Sequence, residues 1–191
     1  MLKEYQAMIN AGLNSVDPNT VSHVRNIILS AAHNKWPILV IGNGGSAAIG
    51  DHWSCDYGKG ISEDTKHALN VRNLGSNMSV MTAIANDIGY EYVFSKQIEW
   101  SNEEAIVLAI SSSGSSPNIV NGLKKANELE LPTIALVGFD GGTVLKEDLA
   151  DFTIHVNSNN YGVVEDCHQM IMHSIAQNIR WGYRKNDSIK L

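Results

Sequence analysis

Three short runs constrain the fold of this chain more than any other feature: ILVI at 38–41, IVLAI at 106–110 and TIALV at 133–137. Each is nearly continuous in apolar residues, so both faces of the strand it forms must be covered. That is the condition of a strand inside a parallel sheet. The first run extends back to Trp36, and weaker strand-like runs lie at 68–73 (ALNVRN) and 152–156 (FTIHV). Between them the spacing predicts helices over about 45–57, 76–97, 117–129 and 143–148, with a last helix over about 163–183. Ahead of the first strand, 2–12 and about 18–34 carry helical periodicity. In the second, Val21, Val24, Ile27, Ile28 and Ala31 follow the helix entry DPNT. Strands alternating with helices define an α/β domain. The expected form is a three-layer αβα sandwich around a five-stranded parallel sheet of flavodoxin-like type. A length of 191 residues suits one domain. It divides into N-terminal helices (1–34), sheet core with closing helix (35–183) and a tail (184–191), RKNDSIKL, expected to fray.

Composition then excludes classes of function. The 14 Lys and Arg are scattered and the net charge is −6, so no basic stripe exists and nucleic acid is not an expected ligand. Cys55 and Cys167 have neither metal-pair spacing nor a disulfide framework. The opening MLKEYQAMINAG lacks an apolar signal core, and no apolar run approaches the ~18 residues of a membrane span. The expectation is a reduced, cytoplasmic protein without a membrane partner.

In doubly wound sheets, ligands sit beyond the carboxyl ends of the strands, where strand order switches. That rule selects three loops: GNGGS (42–46), SSSGSSPN (111–118) and GFDGG (138–142). Gly42, Gly44 and Ala47 fit the dinucleotide fingerprint G-x-G-x-x-A. A dinucleotide site also needs an acid about 20 residues on, at the end of the second strand. Here that strand ends near Asn73, about 30 residues on, without an acid. No nucleotide cofactor is expected. The second loop crowds five serines and a glycine onto one strand end, just before a helix opened by Pro117. Serine hydroxyls and helix N-terminal amides can donate several hydrogen bonds to one phosphate without help from Lys or Arg. A flexible Ser/Gly linker has the same composition, but not between an apolar strand and a helix start.

A strand, GNGGSA and a helix, with a later strand followed by S-x-S-G-x-S-x-N, resemble the sugar isomerase (SIS) domain family. GNGGSAAIGDH, VMTAIANDIGYEYVFSKQI (80–98) and ISSSGSSPNIV, in that order, resemble its phosphoheptose isomerase branch, over about residues 35–180. The resemblance implies that the glycine turn, Asn43, Gly44, Gly45 and Ser46, contacts a sugar phosphate. It implies that Ser111, Ser112, Ser113 and Ser116 bind the phosphate and that Asn86 and Asp87 contact substrate. Without it, Asn86-Asp87 reads as a helix end.

Ketose–aldose isomerisation moves one proton between C1 and C2 through an enediol, so it needs a base, a proton donor or Lewis acid, and no redox cofactor. His52 and Asp56, four apart on the helix after GNGGS, share a face. Glu165, His168 and His173 stand in VVEDCHQMIMHS on the last helix. The family pattern is His with Glu four residues on, and Gln eight residues before His. It falls here on His52, Asp56, Glu165 and His173, implying a divalent metal site, usually zinc. It also implies Asp56 as base and His173 as acid. Two departures stand out: Asp56 is shorter by a methylene than Glu, and Glu165 adds a charge where the family has Gln. His168 reads as a core or interface residue, and His33, His67 and His155 are assigned no role. The resemblance further implies a homotetramer with active sites between subunits, serving surface-glycan precursor synthesis. An isomerase of another phosphosugar, and a non-catalytic SIS sensor or adaptor, stay open at this point.

Overall fold

The computed structural model describes residues 1–183, so the predicted tail, 184–191, lies outside the described residues. Two helices, α1 (Leu2–Asn14) and α2 (Pro18–Asn34), precede β1 (Ile38–Gly42) and α3 (Gly44–Trp53). α3 runs on into a π-helical stretch, Ser54–Ile61, and a short α4 (Ser62–Asp64). There follow β2 (Val71–Asn73), α5 (Met78–Asp87), a 3₁₀ turn at Tyr90–Tyr92, α6 (Ser95–Ser101), β3 (Ile106–Ser111) and α7 (Pro117–Glu128). The chain closes with β4 (Thr133–Val137), α8 (Gly142–Lys146), β5 (Phe152–His155) and α9 (Tyr161–Gly182).

All five strands are parallel, in the order β2-β1-β3-β4-β5. The expected flavodoxin-like sandwich is therefore the observed one, with its switch point between β1 and β3. β1, β3 and β4 are buried at every position, as their unbroken apolar runs require. One apolar core lies between the sheet and α1, α2, α3, the π-helical stretch and α9; it includes Ile28, Trp53, Tyr57 and Met172. The other lies beneath α5, α6, α7 and α8 around Phe94, Ile98 and Leu123.

Two helices differ from expectation. The segment predicted as one helix over 76–97 is broken at Gly89, whose φ of +144° no other residue adopts easily. The helix after GNGGS turns π-helical at Ser54, a rare conformation that is frequent at functional sites. Within it Tyr57 stacks on Trp53 at 4.5 Å and donates its hydroxyl to the Met172 carbonyl at 2.8 Å, tying this coil to α9. Much of the apolar stripe of the N-terminal helices is covered within the chain itself. Val24, Ile28 and Ala31 of α2 are inaccessible within the chain itself, and Gly12 of α1 packs on Cys167 and Val156.

Candidate active site

At the switch point β1 ends in Gly42, and Asn43 leads α3 from an extended conformation without capping it by its own side chain. β3 ends in Ser111, and Ser116 leads α7, again without a side-chain cap. Two helix N-termini thus open side by side with amides left for a ligand, the arrangement that binds anions. The Asn43 side chain is used elsewhere: it forms a reciprocal amide pair with buried Asn118, at 2.9 and 2.8 Å, which clamps the two loops together. Tyr90 donates its hydroxyl to Asn43 Oδ1 at 3.0 Å, bringing the loop after α5 to the same turn.

The serine loop is held from behind by the third suspect loop. Gly138 N donates to Ser112 O at 3.0 Å, Val144 N to Gly114 O at 2.9 Å and Thr143 N to Ser115 Oγ at 3.0 Å. Gly114 sits at φ +60°, and a Cβ there would meet the Gly141 carbonyl at 2.1 Å. GFDGG is therefore a buttress.

Asn43, Ser46, Ser111, Ser112, Ser113, Ser116, Tyr161 and Glu165 line a cavity of about 130 Å³ at this point. That is below the roughly 300–1,000 Å³ of clefts enclosing a whole small ligand; it suits one end of one, such as a phosphoryl group. Ser112 Oγ, buried in its lining, has no hydrogen-bond partner among the described residues. Gly44 and Gly45 form the adjoining turn. The Glu165 carboxylate lies directly over Gly45, where a Cβ would meet it at 2.5 Å.

A second group gathers along α9. His52, Asp56 and His173 each offer one ligand atom, all within 4.8 Å of one another. His52 Nε2 is 3.5 Å from Asp56 Oδ1, and His173 Nε2 is 3.3 Å from Asp56 Oδ2. Two imidazoles and a carboxylate are donors that zinc accepts, and ligands 2.0–2.1 Å from a tetrahedral ion stand about 3.3 Å apart. These three residues fit such an ion. Glu165 does not join them in this chain, although the family resemblance implies that it would. Eight residues place it about 12 Å along the helix axis from His173, in the serine cavity instead.

Asn86 and Asp87 are exposed, bonded to each other at 2.7 Å, and absent from the cavity wall. His168 is wholly buried, its Nε2 3.3 Å from the Val137 carbonyl, and burial holds its pKa down at about 4. It is a core residue, as expected. Sequence reasoning missed Tyr90, Tyr161 and Gln169; only Asn118, the last residue of the SSSGSSPN motif, carried a signal there.

A parallel sheet whose glycine turn and serine loop face each other at the switch point belongs to a sugar-phosphate-binding class of α/β domain, the SIS domain, and that family matches residues 4–138. Phosphoheptose isomerase 1 of Campylobacter jejuni is 32% identical over 176 residues, 92% of each chain. A probable phosphoheptose isomerase of Thermoplasma volcanium is 34% identical, over 92% of this chain and 88% of its own. The solved phosphoheptose isomerases of Neisseria gonorrhoeae and Francisella tularensis superpose with TM-scores of 0.82 and 0.80 at 27% identity, each covering at least 93% of both chains. The chain belongs, within the SIS family, to the phosphoheptose isomerases.

Proposed function

We propose that this protein is an aldose–ketose isomerase converting sedoheptulose 7-phosphate to a heptose 7-phosphate through an enediol, for surface-glycan precursor synthesis in the cytoplasm. The observation that carries the reading is the spacing along α9. The helix presents Glu165 to the serine cavity and His173 to the His–Asp–His group, with about 12 Å of axis between them. From phosphorus to C1, an extended heptose 7-phosphate spans eight bonds of about 1.5 Å, roughly 10 Å as a zigzag. A phosphoryl group in the serine cavity therefore leaves C1 and C2 beside Asp56 and His173, whereas a triose phosphate stops short.

In this reading the amides opening α3 and α7, with Ser46, Ser111, Ser112, Ser113 and Ser116, form the phosphate cradle. Asn43, Gly44, Gly45 and Glu165 meet the sugar, Glu165 accepting from its hydroxyls. Asp56 takes the proton from C1 on one carboxylate oxygen and returns it at C2. His173 passes a proton between the O1 and O2 positions. His52, Asp56 and His173 would hold a divalent cation, zinc fitting best. When bound, it supplies polarisation of the substrate oxygens. The cavity encloses only one end of the ligand, and Trp100 and Trp181 are exposed. Both features support a homotetramer whose subunits complete one another's sites, where Asn86 and Asp87 would act.

The test is proton-exchange NMR in deuterated water on ketose phosphates of three to seven carbons, with and without zinc. Exchange at C1 should be fastest for the seven-carbon substrate. An absence of exchange on every ketose phosphate refutes the isomerase. Light scattering showing a monomer refutes the shared sites.

A further inference from the structure

The wall of the serine cavity holds one more hydroxyl than the cradle uses. Tyr161, the first residue of α9, lines the cavity together with the serines and Glu165. That wall carries no lysine or arginine among the described residues, and its single charged group, Glu165, is itself an anion. A phosphoryl dianion there is held by neutral donors alone. Among neutral O–H groups a phenol, with a pKa of about 10, gives its proton to an anion more readily than a serine does, and so makes the stronger bond. Tyr5, Tyr57 and Tyr90 donate their hydroxyls to Asp166, the Met172 carbonyl and Asn43. Tyr161 makes no such bond among the described residues, and it is 60% exposed.

The ring of Tyr161 is nevertheless held. Phe139 meets it edge to face, with centroids 4.7 Å apart at 86°. Phe139 stands at φ +49°, a left-handed backbone that is an outlier for a bulky side chain. Its neighbours fix that conformation. Phe139 N donates to the Ser158 carbonyl at 3.0 Å, and the Phe139 carbonyl accepts from His155 Nε2 at 2.9 Å. Gly138, just before it, donates to the Ser112 carbonyl, so the strand end that backs the serine loop also carries the Phe139 ring. GFDGG has glycine at three of its five positions, yet not at 139. Strain kept where a glycine would release it is strain kept for the side chain.

We infer that Tyr161 binds the phosphoryl group of the substrate, donating its hydroxyl to a phosphate oxygen from the exposed side of the serine cavity, and that Phe139 is a positioning residue that holds the tyrosine there. The inference rests on reading that cavity as the phosphate site. It adds a donor outside the two helix N-termini, on the same helix that carries His173.

The experiment titrates the full chain with inorganic phosphate, followed by phosphorus NMR, and with sedoheptulose 7-phosphate, followed by calorimetry. Tyr161→Phe keeps the ring and its contact with Phe139 and removes the hydroxyl. Affinity for both ligands should fall about 10- to 100-fold, the loss of one hydrogen bond to a charged group, with melting unchanged. Parental affinity for both overturns the assignment. Loss for the sugar phosphate alone puts the hydroxyl on the sugar and also overturns it. Phe139→Gly should weaken both ligands by about tenfold, and Phe139→Tyr, which restores an aromatic edge, should bind as the parent does. In the Tyr161→Phe background, Phe139→Gly should cost no further affinity, because it acts through the missing hydroxyl. Additive losses overturn the positioning role. Ser113→Ala and Ser116→Ala judge the phosphate-site reading separately. Weaker binding in them, with parental affinity in Tyr161→Phe, keeps the cavity and sinks the tyrosine. Weaker binding in Tyr161→Phe, with parental affinity in both serine variants, keeps the tyrosine and moves the phosphate off the serine loop. No binding of either ligand by the parent sinks both.

Discussion

Replacing Gly114 with alanine is the sharpest test of how the proposed phosphate cradle is held. The left-handed backbone at φ +60° costs a residue with a Cβ about 1–2 kcal/mol. The new Cβ also lies 2.1 Å from the Gly141 carbonyl oxygen. Bringing that contact to about 3 Å means moving the serine loop from its buttress by nearly 1 Å, beyond what packed interiors absorb freely. The hydrogen bond from Val144 N to Gly114 O is then lost or stretched, a further ~0.5–1.5 kcal/mol. Together these predict a loss of about 2–3 kcal/mol, or roughly 4–12 °C in melting temperature for a chain of this size. A misplacement of about 1 Å among the anion donors should also weaken ligand binding or turnover by up to ~10²-fold. Calorimetric titration with a ketose phosphate and scanning calorimetry read the two effects. Gly60→Ala is the control, since a Cβ there meets nothing within 4 Å and its φ is not positive. Parental phosphate affinity and melting in Gly114→Ala would refute the buttress.

Four further predictions rest on the same structure. Asp56→Asn should lower C1 exchange by at least about 10²-fold while phosphate binding survives; full activity would place the base elsewhere. Asp56→Glu should keep or improve turnover if a heptose phosphate is held as in the family, and should lower it if the site is rebuilt around the shorter acid. Ser113→Ala and Ser116→Ala should each weaken phosphate binding by about 1.5–3 kcal/mol per charge-assisted bond lost and leave melting unchanged. His168, held down at about 4 by burial, binds its proton more readily in the unfolded chain, whose histidine titrates near 6.5. Its share of stability, on the order of 3 kcal/mol, is complete above pH 6.5 and is lost as pH falls toward 4. Urea unfolding at pH 7 and pH 5 should show that loss in the parent and a shallower one in His168→Gln.

The layers and the switch point were legible because consecutive apolar residues have only one use in a small α/β domain. ILVI, IVLAI and TIALV became the three inner strands, and the loops after the first two carry the cavity. Helix continuity was not legible at 76–97, where one glycine in IGY, at φ +144°, outweighs a continuing apolar period. Nor was the π-helical stretch, since eight residues are too few to separate its period from that of an α-helix. The site was half legible. Spacing puts Glu165, Gln169 and His173 on one face of α9, but which of them meets His52 and Asp56 depends on where α3 crosses. That crossing is a tertiary fact. Asn118 and Asn43 are 75 residues apart, a pairing no local pattern encodes.

Because Glu165, Gln169 and His173 are successive rungs of one helix, the proposed reading has α9 grade the substrate in steps and not continuously. Moving a functional group by one rung changes its reach by about 6 Å, close to the span of four or five carbons in an extended chain. Redesign for a shorter phosphosugar therefore calls for carrying the proton-transfer group up a whole turn, with its partner on α3 carried along. Trimming side chains within a rung alters fit and leaves the measured length the same.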